Sequence, residues 1–216
     1  MLLQSHNLKR VQFLMLICSG VLKMKIGIIG KGHVGSALAS GLSRGGHEVK
    51  FGHRDPKEPV DVAANWGEAI ILAVPYESVA DAAKAIGSAA DGKTLIDVTN
   101  AVSQDMDLAI GFTTSAAEEL QKKLPRAHVV KAFNTVFARN QSTGRLGDVQ
   151  LTLFVAGDDV GAKQTVLKLA RDIGFDPLDV GPLKVARYLE PMGMFMINLA
   201  FDRGLGTKMG LKLVRG

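Results

Sequence analysis

Six residues near the start of the chain, Gly30-Lys31-Gly32-His33-Val34-Gly35, carry the spacing G-x-G-x-x-G. Placed between a strand and a helix, that spacing makes a phosphate loop. The first glycine permits a tight turn, the second lets the backbone approach a pyrophosphate, and the third lets the helix pack on the strand. The unpaired N–H groups and positive pole of the helix N-terminus then face the anion. A second group, Phe51-Gly52-His53-Arg54, ends the next apolar run. A site for NAD places an acid at that strand tip to bind the ribose 2′-hydroxyl. None stands there, and Asp55 comes only after Arg54. The forked guanidinium of Arg54 suits a 2′-phosphate. Lys31 and Lys57 can add charge and His53 a hydrogen bond. The expected ligand is NADP(H).

Other chemistry has less support. A single cysteine, Cys18, excludes an internal disulfide framework. The five histidines show no HExxH and no i, i+4 pair, so no metal is expected. No nucleophile–base set is apparent. The net charge of +5 suggests nucleic acid, but Lys9, Arg10 and Lys23 in an acid-free leader account for three of those charges. The remaining basic residues form no stripe, so the expected partner is a small molecule and not nucleic acid. No apolar run reaches ~18 residues, so no membrane partner is expected.

These residues need elements to position them. At 216 residues with 47% apolar content, the chain is about one globular domain. Lys9-Arg10 followed by Val11–Leu22 is similar to a short signal peptide. However, the core begins at Met24 with no room for a cleavage region, and Ile17 before Cys18 does not suit lipoprotein processing. Residues 1–23 are expected to be an extension outside the fold. Residues 24–216 are then the NADP-binding domain with a C-terminal βαβ and a dimerisation helix, in the cytoplasm.

From Met24, strand and helix patterns alternate. Strands are predicted at Lys25–Ile29, Glu48–Phe51, Ala69–Val74, Thr94–Val98, His128–Ala132, Leu151–Ala156 and Pro177–Val180. Helices are predicted at His33–Arg44, Ser78–Ile86, Ala116–Leu124 and Val160–Ile173, the last capped by Asp158 and stopped by Gly174. A final helix, Pro182–Phe201, is expected to break at Pro191. The alternation implies an α/β, Rossmann-type doubly wound, mostly parallel sheet with a C-terminal helical segment. Only fourteen residues separate Arg54 from Ala69, room for the short helix Val60–Trp66 but not for a further strand as well.

The motifs resemble a known family. Met24–Gly35, Gly52-His53-Arg54 and Ala73-Val74-Pro75-Tyr76 are similar to the NADPH-dependent reductases of coenzyme F420. Lys131-Ala-Phe-Asn-Thr-Val136 resembles both that family and the oxidoreductase domain of STEAP-type metalloreductases. Gly157-Asp158-Asp159 and Gly181-Pro182-Leu183 also fit. The resemblance implies NADP at the phosphate loop and strand tip. It implies that Val74-Pro75-Tyr76 and Ala132-Phe133-Asn134-Thr135 border the nicotinamide and the acceptor ring. It also implies hydride transfer between NADP(H) and coenzyme F420 without a protein acid or base. Tyr76, Asn134 and Thr135 are then candidates to orient the substrate. Phe133 reads equally as core packing, and Asn134 also as a strand-end cap. Phe137 stands where the deazaflavin reductases tend to carry proline and is closer to the STEAP-like version, which leaves room for FMN or FAD as acceptor.

The segment Ala186–Phe201 is apolar nearly all round, and too little chain remains to cover it. A homodimer interface follows. A β-hydroxyacid dehydrogenase or imine reductase would need a large helical second domain, for which the ~36 residues after Val180 are too few. A non-catalytic NADPH-binding redox sensor stays open as the alternative, because such a fold carries no unique catalytic residue.

Overall fold

The structure is a computed structural model describing residues 23–215. The expectation for the leader, including Cys18, therefore lies outside the described residues, except at Lys23, whose ammonium pairs with Glu48 at 3.0 Å.

The chain opens with β1 (Lys25–Ile29), α1 (His33–Arg44), β2 (Glu48–Gly52), α2 (Val60–Trp66), β3 (Ala69–Leu72), α3 (Val79–Ile86) and β4 (Thr94–Asp97). It continues with α4 (Ala116–Lys123), β5 (His128–Lys131) and the single turn α5 (Ala138–Gln141). A small hairpin, β6 (Arg145–Leu146) and β7 (Val149–Gln150), precedes β8 (Thr152–Gly157), α6 (Val160–Ile173), β9 (Asp176–Gly181) and α7 (Ala186–Phe201). Seven strands form one sheet in the order β2-β1-β3-β4-β5-β8-β9. All pairs are parallel except β5 with β8. This is the Rossmann-type, mostly parallel architecture that the alternation implies.

The sheet is apolar on both faces because both are covered. One face packs Leu38 and Leu42 of α1 and Val166 and Leu169 of α6. The other packs Ala63 and Ala64 of α2, Ile86 of α3 and Leu120 of α4. The short link after β2 leaves no strand outside β2 among the described residues. The chain crosses β1 instead and enters β3 on its far side. A close approach makes this possible: a Cβ at Gly27 of β1 would lie 2.4 Å from the Ala63 carbonyl oxygen of α2. The switch point, where connections leave the sheet in opposite directions, therefore falls between β1 and β3, at the phosphate loop.

Most elements differ from the sequence reading by one or two residues at an end, and the last two helices differ in more than that. Asp159, not Asp158, caps α6; its Oδ1 accepts the Ala162 N–H at 2.7 Å. Only the residue directly before Val160 can reach that third N–H, so Asp158 instead accepts from the Leu183 N–H at 2.9 Å. The last helix starts at Ala186 after a 3₁₀ turn and runs unbroken through Pro191. It is also buried on one side only. Leu189, Gly193, Met196 and Ala200 are covered, whereas Tyr188, Phe195 and Phe201 are more than half exposed.

Candidate dinucleotide and acceptor site

The phosphate loop forms because the backbone leaves no alternative. Gly30 has φ 107°, and a Cβ there would lie 2.2 Å from the Ala73 carbonyl oxygen. Its N–H donates to the Gly52 carbonyl at 2.9 Å, tying the loop to the tip of β2. A Cβ at Gly35 would meet the Gly30 carbonyl oxygen at 2.1 Å, the close helix–strand contact expected of the third glycine. Gly32 is different: a Cβ there would meet no protein atom within 4 Å. Protein packing does not require this glycine, but a pyrophosphate laid against the backbone would. Helix α1 begins at the next residue with no side-chain cap and no acid in its first turn. Its N–H groups remain available to an anion. The residues present thus fit the group that the loop implies.

Two clefts flank the loop along the carboxyl ends of the strands. The first, about 570 Å³, is lined by Gly30, Lys31, Gly32, His53, Arg54, Ala73, Val74 and Pro75. Eight of the expected binding residues therefore share one surface. The second, about 810 Å³, is lined by His33, Val34, Asn100, Asn134, Thr135, Arg139 and the inner face of α7 at Gly193, Met196 and Ile197. Lys57 and Tyr76 line neither cleft, and Ala132 is wholly buried in the core. Lys57 sits in an exposed turn where its N–H donates to Asp55. Tyr76 leans on the α3 side of the core, and its phenol is pushed up by burial and by the carboxylates of Glu190 and Glu119. Phe133 has φ 65° and packs edge-on against Phe175, 5.7 Å between ring centres, so it belongs to the core.

The strand tip carries a feature that sequence position hides. Arg54 is exposed and makes no hydrogen bond or ion pair among the described residues. Lys31 and His53, by contrast, are taken by Glu58: Lys31 Nζ lies 2.8 Å and His53 Nε2 2.5 Å from Glu58 Oε2. The strand tip thus has an acid beside it, five residues past His53, where the sequence reading found none. The hydrogen bond from Lys31 holds the Glu58 carboxyl below the usual carboxylate range, opposed by desolvation and helped by the hydrogen bond from His53.

Asn134 links the clefts to α7. Its Nδ2 donates to the Leu189 carbonyl at 2.7 Å and to Asn100 Oδ1 at 3.0 Å, while Asn100 Nδ2 donates to the Asn134 carbonyl at 2.9 Å. The helix must lie close for this, and a Cβ at Gly193 would sit 2.3 Å from Asn100 Oδ1. The side chain of Asn134 is thereby committed to holding α7. Thr135 also lines the second cleft, and its hydroxyl makes no hydrogen bond among the described residues.

Below this layer lies a buried charge cluster that the sequence reading missed. Lys131 Nζ, at the end of β5, is 2.9 Å from Asp97, 3.0 Å from Glu190 and 2.7 Å from the Thr99 carbonyl. Glu190 also accepts the N–H groups of Ala116 and Ala117 at the start of α4. Burial works to lower the lysine's pKa, but the two carboxylates outweigh it and hold the ammonium above its ordinary range. The polar residue ending each apolar strand, Asp97 and Lys131, was the available signal. Nothing local marks Glu190.

Strand order, phosphate loop and paired clefts define a Rossmann-type dinucleotide-binding protein. Residues 25–67 match the family model for coenzyme F420-dependent NADP oxidoreductases. The chain is 29% identical over 210 residues to the F420-dependent NADP reductase of Methanothermobacter marburgensis, covering 82% of this chain and 92% of that protein. It is 33% identical over 189 residues to the metalloreductase STEAP3 of Rattus norvegicus, covering 80% of this chain. The match spans 37% of that longer relative. A crystal structure of a proposed F420-dependent NADP reductase from Arthrobacter sp. FB24 superposes with a TM-score of 0.83 at 29% identity, covering 89% of this chain and all of that one. These likenesses agree with the motifs: the chain is similar to the F420-dependent NADP reductases and to part of the STEAP metalloreductases. No helix of the described residues is long and apolar enough to cross a membrane.

Proposed function

We propose that the chain binds NADP(H) across both clefts and passes a hydride between it and a flavin or deazaflavin acceptor, such as FMN, FAD or coenzyme F420, in the cleft beneath α7. The observation that carries this reading is the open space over Gly32 between the two clefts, with Arg54, unpaired among the described residues, at one end. The adenosine end belongs with Arg54, the pyrophosphate with the start of α1, and the nicotinamide end with the second cleft. Bound NADPH supplies the hydride there, and the protein needs no acid or base for that transfer. Its own residues orient and enclose. Asn134 fixes α7 over the cleft, Thr135 offers a hydroxyl to the acceptor, and His33 and Arg139 give the rim basic character.

The test offers FMN, FAD and coenzyme F420 in turn and follows loss of NADPH absorbance. Turnover with one of them is expected. Ile197→Trp, which adds bulk from α7, should abolish that turnover while NADPH affinity stays within about threefold, ~0.65 kcal/mol. NADPH binding with no turnover of any acceptor would favour a non-catalytic redox sensor. We further propose that α7 pairs with a second copy of the chain through Tyr188 and Phe195.

A further inference from the structure

The turn after β2 folds back on itself. The Glu58 N–H donates to the Asp55 carbonyl at 2.9 Å, and the His53 N–H donates to the Glu58 carbonyl at 2.8 Å. These two bonds carry the Glu58 carboxylate back to the mouth of the first cleft, beside Lys31 and His53. His53 Nδ1 accepts the Asp55 N–H at 3.3 Å, which leaves Nε2 as the donor toward Glu58 even in the neutral ring. Both Glu58 oxygens lie within 2.9 Å of Lys31 Nζ. Of the groups lining the first cleft that suit a 2′-phosphate, Lys31, His53 and Arg54, only Arg54 is uncommitted among the described residues.

We propose that Glu58 is an internal counter-anion of the 2′-phosphate subsite, competing with the phosphate for Lys31 and His53 and thereby setting how strongly the site selects NADP(H) over NAD(H). The proposal rests on the dinucleotide reading above. A carboxylate and a phosphate dianion are both acceptors only, so they cannot bond to one another. They must share the Lys31 ammonium against their mutual repulsion, or the carboxylate must leave. A ribose 2′-hydroxyl meets no such conflict, because it can donate to a carboxylate. Glu58 therefore weakens the phosphorylated cofactor selectively.

The experiment is calorimetric titration of the full chain with adenosine 2′,5′-bisphosphate and with 5′-AMP, which differ only in the 2′-phosphate. Glu58→Gln keeps the shape of the surface side chain and removes its charge. It should bind the bisphosphate about five- to tenfold more tightly, ~1–1.4 kcal/mol, with 5′-AMP held within about twofold. The gain should shrink in a Lys31→Met background, where one contested cation is gone. A bisphosphate affinity unmoved by Glu58→Gln, or an equal change for both nucleotides, would overturn the proposal while leaving dinucleotide binding intact. Failure of the unaltered chain to bind either nucleotide would overturn the dinucleotide reading itself, and this proposal with it.

Discussion

Gly30 and Gly32 stand two residues apart and are glycine for opposite reasons, which a pair of alanine substitutions separates. At Gly30 the positive φ and the Ala73 carbonyl at 2.2 Å leave a methyl group nowhere to go, so Gly30→Ala should unfold or severely destabilise the loop. At Gly32 the φ of −76° suits any residue and the space is open. Gly32→Ala should therefore melt within about 0.5 kcal/mol of the parent. It should also lose at least tenfold in NADPH affinity, ~1.4 kcal/mol, because the methyl group occupies the space assigned to the pyrophosphate. Undiminished NADPH binding in Gly32→Ala would move the pyrophosphate elsewhere. Arg54 is judged by a comparison of cofactors. Arg54→Ala should weaken NADPH by ~1.5–3 kcal/mol and leave NADH nearly unchanged. Equal losses would detach the guanidinium from the 2′-phosphate.

The layer joining β4, β5, α4 and α7 depends on Lys131. Removing one member of a buried ion cluster leaves the others uncompensated, at a cost of ~3–5 kcal/mol. Lys131→Met would strand Asp97 and Glu190 together in the core. A fall in melting temperature of about 6–20 °C is expected, at ~2–4 °C per kcal/mol for a chain of this size. A shift under 3 °C would mean that the cluster is only loosely formed. The folded pKa of Lys131 lies above its unfolded value, so its contribution is fully present below the ordinary lysine range. It is lost only as pH rises through the raised value, and melting near neutrality should not vary on its account. This cluster also marks the limit of reading the sequence. Although its cap was read one residue early, the span of helix α6 was legible, because apolar spacing and a terminal glycine are local signals. The phosphate loop was legible for the same reason. Lys131 and Asp97 are 34 residues apart, and Glu190 joins them only through the placement of α7. Glu58 escaped because a turn, not a strand, delivers it. Tyr76 and Lys57 stand outside both cleft linings, because nearness in sequence to a strand end does not fix the direction of a side chain.

At the scale of the whole molecule, α7 works with two faces. Its inner face closes the second cleft through Gly193, Met196 and Ile197 and is held by Asn134. Its outer face leaves Tyr188 and Phe195, two helical turns apart on one side, at 64% and 59% exposure, an apolar patch of the kind that marks an interface. If a second copy covers that patch, assembly and catalysis are linked, because the element that seats the partner also roofs the acceptor. Light scattering on the unaltered chain should then give twice its 23.0 kDa mass at micromolar concentration. Phe195→Glu places a charge in the interface without touching the cleft lining. It should shift the protein to monomer and lower acceptor turnover as the roof loosens. NADPH affinity should stay within about threefold, ~0.65 kcal/mol, since the phosphates rest on α1 and Arg54. A parent chain that runs as a monomer would remove the second copy from this account. A monomeric variant with undiminished turnover would show that α7 holds the cleft through Asn134 and the charge cluster alone.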